Sequence, residues 1–503
     1  MRHGLGMATG VSALALGGLI LLLNWNSSPR TPLGKGGGNE ELLLYCAAGI
    51  RKPVEAVVKE YQAAYGVKIN PVFAGSGALL ASIRAASKGD LYLAADATYL
   101  EDARTKYRLV RETVPLARQR PVIAVQKGNP KKIVGLDDLA RDDVRTSLAD
   151  PEVAAVSKVS RLQLSDAERW DAIWNTKRVS RSTVNEVAND VKMATVDAGI
   201  AWDATVSQYP ELEGVSVPEF EARPNQITIG VLSTSEQPTR ALHFMRFLSA
   251  RDKGLVQFKK FGYDAVDGDR WAETPEIKLF CGGLNRPAVE KTIEAFQQRE
   301  GVTVLADYNG CGVLVGQMRT GLIPDVYFAC DTSFMEMVEE DFSAPRDVSS
   351  TEMVIITQKG NPKDVNELKD LMRPGLKVGL CNPEKSALGE LCQRLLTRHQ
   401  LWRQVYPEAK DQPATADILV QHVVIGSLDA AIVYRANTTL QREELEAIDI
   451  LDTNTRATQP IAVAKTSQYK QLTSRLMERI RSAQSEERFR SLGFNWLGES
   501  ATP

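Results

Sequence analysis

The chain has 503 residues, which at about 150 residues per domain leaves room for roughly three to four globular units and excludes a single small domain. With 25% charged and 43% hydrophobic residues it has ordinary globular composition, which excludes wholesale disorder, a collagen-like rod and a polytopic membrane protein. Lys and Arg (61) balance Asp and Glu (63) to a net charge of -2 with no long basic run, so no nucleic-acid partner is expected and a small ligand must be held by local geometry.

The first element is hydrophobic. Arg2 and His3 precede an uncharged run from Met7 to Leu23 that contains SALALGGLILLL, the pattern of a secretory signal or signal anchor. NWNSSPRTPLGKGGG then reads as a flexible linker. The absence of a small-x-small cleavage site and of a lipobox cysteine favours an uncleaved anchor over residues 1–39, with a cleaved signal as the alternative. Either way the body is expected on the periplasmic or extracellular face, attached to the membrane through its N-terminal helix or released from it.

From residue 42 short apolar runs alternate with helical patterns. LLLYCA is a strand, PVEAVVKEYQAAYG a helix with a glycine stop, VKINPVFA a strand, GALLASIRAASKG a helix and DLYLAA a strand. Such alternation indicates α/β layers around a largely parallel sheet, with ligands outside the carboxyl ends of strands. PVIAVQK (121–127) is expected to cross to a second lobe and TIGVLST (228–234) to bring the chain back.

The pattern then repeats. At an offset of 235, Cys46 to Asp96 aligns without a gap with Cys281 to Asp331, superposing Arg51 on Arg286, Gly66 on Gly301, Gly75 on Gly310, Gly77 on Gly312 and Tyr92 on Tyr327. At 232, QKGNP at Gln126 matches QKGNP at Gln358, and Asp197-Ala198 matches Asp429-Ala430. The chain is therefore expected to hold two copies of one unit, residues 40–272 and 273–503, with two lobes each and four α/β lobes in all.

The loops CAAGIRKP and FAGSG each lead from a strand into a helix. A helix start offers unpaired N–H groups to an anion, and Ser76 adds a hydroxyl, although strand-Gly-helix turns also occur for geometry alone. At these residues the chain resembles the periplasmic molybdate/tungstate-binding proteins of ABC importers. The matching pieces in the first copy are YCAAG, FAGSG, DLYLAAD, DPE at Asp150, GIAW at Gly199 and FKKFGY at Phe258; in the second they are FCGGL, YNGCG, DVYFACD, NPE at Asn382, AIVY at Ala431 and FRSLGF at Phe489.

The resemblance covers both copies almost end to end. It implies a tandem duplication of a bilobal periplasmic binding protein fold of type II, closing on a small oxyanion and delivering it to an ABC permease. Carried over by position, it implies ligand contacts at Gly49, Ser76, Val156, Val184 and Trp202 in the first copy, and at Leu284, Cys311, Leu388, Ala416 and Tyr434 in the second. Val156, Val184, Leu388 and Ala416 would contribute backbone N–H groups. The first copy departs from the family at Gly49, where a Ser is lost, and at Trp202, where indole replaces phenol. The second keeps the Tyr but has Leu284 and Cys311 at the two Ser positions.

Five of the six cysteines, Cys281, Cys311, Cys330, Cys381 and Cys392, lie in the second copy, and the first four are expected at strand ends or loops facing one cleft. They read as small buried hydrophobes, as a disulfide, or as a soft-metal or thiol-reactive site. Asp96 and Asp331 are expected to cap helices. Arg51 and Arg286 are either solvated or in contact with a more highly charged anion, and Trp202 is either core or cleft wall. Four histidines and no HExxH, Walker or G-x-S-x-G motif indicate no enzyme and no cofactor. An extracytoplasmic sensor or interaction module with one or both clefts degenerate is the alternative function.

Overall fold

The computed structural model describes residues 41–164 and 167–499. The hydrophobic N-terminal segment lies outside the described residues, and no described helix is long and apolar enough to cross a membrane.

The first copy supplies β1 (Glu41–Ala47), β2 (Lys68–Ala74), β3 (Leu91–Ala94), β4 (Val110–Gln119), β5 (Pro121–Gln126), β6 (Thr146–Ala149), β7 (Val179–Arg181), β8 (Ala198–Trp202), β9 (Leu212–Val215), β10 (Asn225–Leu232) and β11 (Asp264–Ala265). They form two sheets. The first lobe has the order β11-β4-β10-β3-β1-β2 and the second β7-β6-β8-β5-β9. β1 pairs in parallel with β2 and β3, and β10 runs antiparallel to β3 and β4, so each lobe mixes both pairings.

Local sequence explains the covering helices. In the helix Arg51–Tyr65, Val54, Val57, Val58 and Tyr61 recur at helical spacing and are buried, while the opposite face is solvated. The helix ends where Gly66 turns left-handed at φ 70°, and its counterpart Arg286–Glu300 ends in the same way at Gly301, φ 65°. Each copy has its own hydrophobic core.

The second copy supplies β12 (Glu276–Gly282), β13 (Thr303–Asn309), β14 (Val326–Phe328), β15 (Arg346–Gln358), β16 (Val378–Gly379), β17 (Ala430–Tyr434), β18 (Leu445–Asp449), β19 (Arg456–Val463) and β20 (Asn495–Trp496). Its order, β13-β12-β14-β19-β15-β17-β16, repeats both lobes, but here β15 runs unbroken through the two sheets. The cause is one residue. Pro121, which has no N–H, starts β5, whereas Met353 at the equivalent place donates its N–H to the Thr455 carbonyl at 2.9 Å. The first copy's chain thus crosses between lobes at Arg120, just before PVIAVQK. TIGVLST falls largely inside β10 of the first lobe, so the return crossing comes earlier than its sequence suggests.

The copies are fastened through their first lobes. The helix Pro238–Ser249 lies against Arg286–Glu300, and Glu300, 2% exposed, accepts from Arg475 Nε at 2.7 Å and Nη2 at 2.9 Å and pairs with Arg246 of the other copy. Burial pushes the Glu300 carboxyl up, but the charges of Arg475 and Arg246 and the Arg475 hydrogen bonds outweigh it and hold it below its ordinary value. Asp269 accepts from the N–H groups of Gln471 and Leu472 at 2.8 and 2.9 Å, capping the helix Lys470–Ile480 from the other copy.

Candidate functional site

The carboxyl ends of β1, β2 and β3 in the first lobe face the helix starts that follow β6 and β7 in the second. Between them each copy encloses a cavity of ≈ 20 Å³. Gly49, Ser76, Val156, Val184 and Trp202 all line the first cavity, and Leu284, Cys311, Leu388, Ala416 and Tyr434 all line the second. The structure therefore gathers the ten sequence-selected positions into two groups of five.

Each cavity has eight further lining residues, among them Ala48, Ala95, Ala154 and Thr183 in the first copy and Gly283, Ser386 and Thr415 in the second, together with Cys330, which the sequence had already placed at the cleft. A signal for Thr183 was present, since T-V-N-E is a capping box, and Thr183 accepts from the Glu186 N–H at 3.3 Å. The repeat itself carried the others.

Three helices point their N-termini at each cavity. In the first copy they are Ser76–Ala86, Ala155–Gln163 and Val184–Lys192; the first two have no side-chain cap, at Gly75 and Ala154. In the second they are Cys311–Arg319, Ala387–Arg398 and Ala416–Val424, and none has a side-chain cap. No charged side chain lines either cavity. Buried helix starts without caps present N–H donors and positive dipole ends to whatever sits between them.

Ser76 Oγ accepts from the Ala95 N–H at 3.1 Å, and among the described residues nothing accepts its own proton. In the second copy Cys311 Sγ takes the same bond from the Cys330 N–H at 3.1 Å. Burial pushes the Cys311 thiol up, yet hydrogen bonds from the Cys330 side chain and backbone, aided by the Tyr327 hydroxyl, bring it below the ordinary thiol value, while Cys330 is pushed well up. Tyr434 Oη is buried with no hydrogen-bond partner, and burial keeps the phenol protonated. Trp202 is both core and cleft wall, 1% exposed yet lining the cavity.

The lobes meet backbone to backbone, which explains the repeated glycines. Gly75 has an ordinary φ of -63°, but a Cβ there would lie 2.4 Å from the Val153 carbonyl oxygen across the cleft. Gly310 repeats this against Lys385 at 2.3 Å. The lobes are latched by Asn185 Nδ2 donating to the Ala48 carbonyl at 2.8 Å and by the Gly312 N–H donating to that of Lys385 at 3.1 Å. Both clefts are closed.

Other sequence candidates lie elsewhere. Asp96 and Asp331 cap the helices that start at Ala97 and Thr332. Arg51 and Arg286 are solvated, stacked on Phe73 and Tyr308. All six cysteines are buried and none forms a disulfide; of the four expected at the cleft, Cys311 and Cys330 line it and Cys281 and Cys381 do not. A larger groove of ≈ 610 Å³ separates the copies, but its lining mixes both charges, with Arg104 already paired to Glu101 at 3.0 Å.

Comparison with known proteins matches the architecture twice. The family model described as bacterial extracellular solute-binding protein covers residues 42–264 and again 277–495. The molybdate-binding protein ModA of Mycobacterium tuberculosis is 26% identical over 249 residues, 49% of this chain and 93% of that protein. The sulfate-binding protein of Synechococcus elongatus is 23% identical over 257 residues, 44% of this chain and 72% of that protein. The solved structure of the Azotobacter vinelandii periplasmic molybdate-binding protein aligns with 44% of this chain and 98% of its own length, at 14% identity and a TM-score of 0.38.

Proposed function

The chain belongs to the bacterial extracellular solute-binding proteins in both of its halves, and from that premise we propose that each copy, 40–272 and 273–503, captures a small solute between its lobes for an ABC permease, the first copy taking a tetrahedral oxyanion such as molybdate or tungstate. One observation carries this reading: buried helix starts, mostly without caps, converge on a cavity that holds no charged side chain. N–H donors without a fixed cation suit a compact anion, which they solvate in place of water.

The resemblance assigned the backbone donors to Val156 and Val184, and their place at the cavity supports that assignment. Ser76 would give its free proton to the anion, whereas the Thr183 hydroxyl is already committed, donating to Glu186 Oε2 at 2.9 Å. Closure would then remove the ligand from water and shape the surface that a permease reads. The N-terminal segment would tether the protein outside the cytoplasm.

The test is calorimetric titration of the full chain with molybdate, tungstate, sulfate and phosphate. Saturable binding of one of these that Ser76→Ala weakens is the expected result. Absence of binding to all four would overturn the oxyanion reading and leave a sensor or interaction role.

A further inference from the structure

The two cavities correspond position for position, yet one pair of residues changes their chemistry. Where the first has Ser76 beside Ala95, the second has Cys311 beside Cys330. The backbone bond that joins each pair is the same, 3.1 Å in both, so the loops are not rearranged to hide the thiols. A Cβ on Gly282 would lie 2.1 Å from Cys330 Sγ and 2.9 Å from Cys311 Sγ, so the two sulfurs share one small volume that this glycine leaves open. Tyr434 Oη, in a side chain 2% exposed, lines the same cavity without a partner.

No other metal-binding group joins them: among the described residues no cluster of three or more His, Cys, Asp and Glu is arranged to hold an ion. Zinc, which takes four ligands in structural sites and three in catalytic ones, is therefore not served. Two thiolates alone suit a soft ion content with two ligands.

We propose that the second copy's cleft binds a monovalent soft cation, copper(I) in chemical class, as the bis-thiolate of Cys311 and Cys330. The ion displaces both thiol protons to solvent and forms two metal–sulfur bonds, with no change of oxidation state. One positive ion and two thiolates give a complex of net charge -1. The uncapped helix starts at Cys311, Ala387 and Ala416 face that charge just as their counterparts would face an oxyanion. This deepens the solute-binding reading by giving the copies different cargoes.

The reduced full chain, kept free of oxygen, is titrated against a coloured copper(I) chelator of known affinity. Wild type is expected to withdraw one copper per chain, with a thiolate-to-copper absorption band. Cys311→Ser and Cys330→Ser are each expected to lose that copper and the band, whereas Cys46→Ala, in the other copy, keeps both. Gly282→Ala retains both thiols but places a methyl where Cys330 Sγ sits, so it is expected to weaken copper without altering the thiol count. Copper held as tightly by the Cys311/Cys330 double variant, or none withdrawn by wild type, overturns the proposal. Molybdate titration of the same protein reads the first copy through Ser76, so failure of the oxyanion reading leaves a distinct signature.

Discussion

Gly77 of the first lobe donates its N–H to the carbonyl of Val153 in the second at 2.9 Å, and a Cβ on Gly77 would lie 2.3 Å from the neighbouring Glu152 oxygen. The closed cleft therefore requires this residue to lack a side chain. Gly77→Ala is expected to leave the ligand-free protein folded with an unchanged melting temperature, because parting the lobes would relieve the clash without unfolding either one. Its oxyanion affinity should fall by about 10-fold or more, since a backbone clash worth at least about 1.4 kcal/mol opposes closure alone. An affinity equal to wild type would show that binding does not need the closed contact.

Tyr434 gives a prediction with opposite signs in two assays. Its hydroxyl is buried without a partner, a state that costs about 1–3 kcal/mol. Tyr434→Phe removes that cost and is expected to raise the melting temperature of the ligand-free protein or leave it unchanged. The same change should weaken any ligand of the second cleft that accepts from the phenol. A clear loss of stability in the ligand-free protein would show that Tyr434 Oη already has a partner.

Glu300 holds two arginines from two copies. Glu300→Gln leaves Arg246 and Arg475 buried with no carboxylate between them, a loss of the kind that costs about 3–5 kcal/mol. Calorimetry is expected to show a single unfolding transition splitting into two or shifting down by several degrees. A variant that melts like wild type would show that the interface is held by other contacts.

His243 makes a pH prediction. Its Nδ1 meets the Tyr61 hydroxyl at 2.7 Å, its Nε2 has no partner, and burial followed by the Arg246 charge lowers its pKa from 6.5 to about 3. Below pH 6.5 the unfolded chain binds a proton that the folded chain refuses. Stability from this residue is thus complete above 6.5 and falls as pH drops toward 3, with a limiting slope of about 1.4 kcal/mol per pH unit. His243→Asn should flatten that part of the denaturation profile; an unchanged slope would place the proton uptake elsewhere.

The lobes and the duplication were legible because they rest on local patterns, whereas the ten cleft positions came from the resemblance to the molybdate/tungstate-binding proteins. Apolar periodicity marks the strands and helices, and a gapless repeat from Cys46 to Asp96 carries one cavity onto the other. What was not legible depends on contacts between distant segments. Cys281 and Cys330 looked equivalent in sequence, but Cys281 sits within β12 level with Phe328, whereas Cys330 lies two residues beyond the end of β14, and only Cys330 lines the cleft. Arg246, Glu300 and Arg475 have no shared pattern in the repeat, and nothing in their local sequence announces burial. The interruption at Pro121 was visible as a residue, but its effect appears only beside the unbroken β15.

The buried Glu300 contacts and the Asp269 cap join first lobe to first lobe, and neither involves a second lobe. The molecule accordingly divides into three parts rather than four: one central block of two fastened first lobes and two second lobes, each joined to the block by its own crossings. Filling one cleft does no work on the other, so binding at the two sites should be statistically independent, with a Hill coefficient near one for a ligand common to both. On the proposed transport role, a permease engaging the block would sample each second lobe in turn without the chain having to turn end over end.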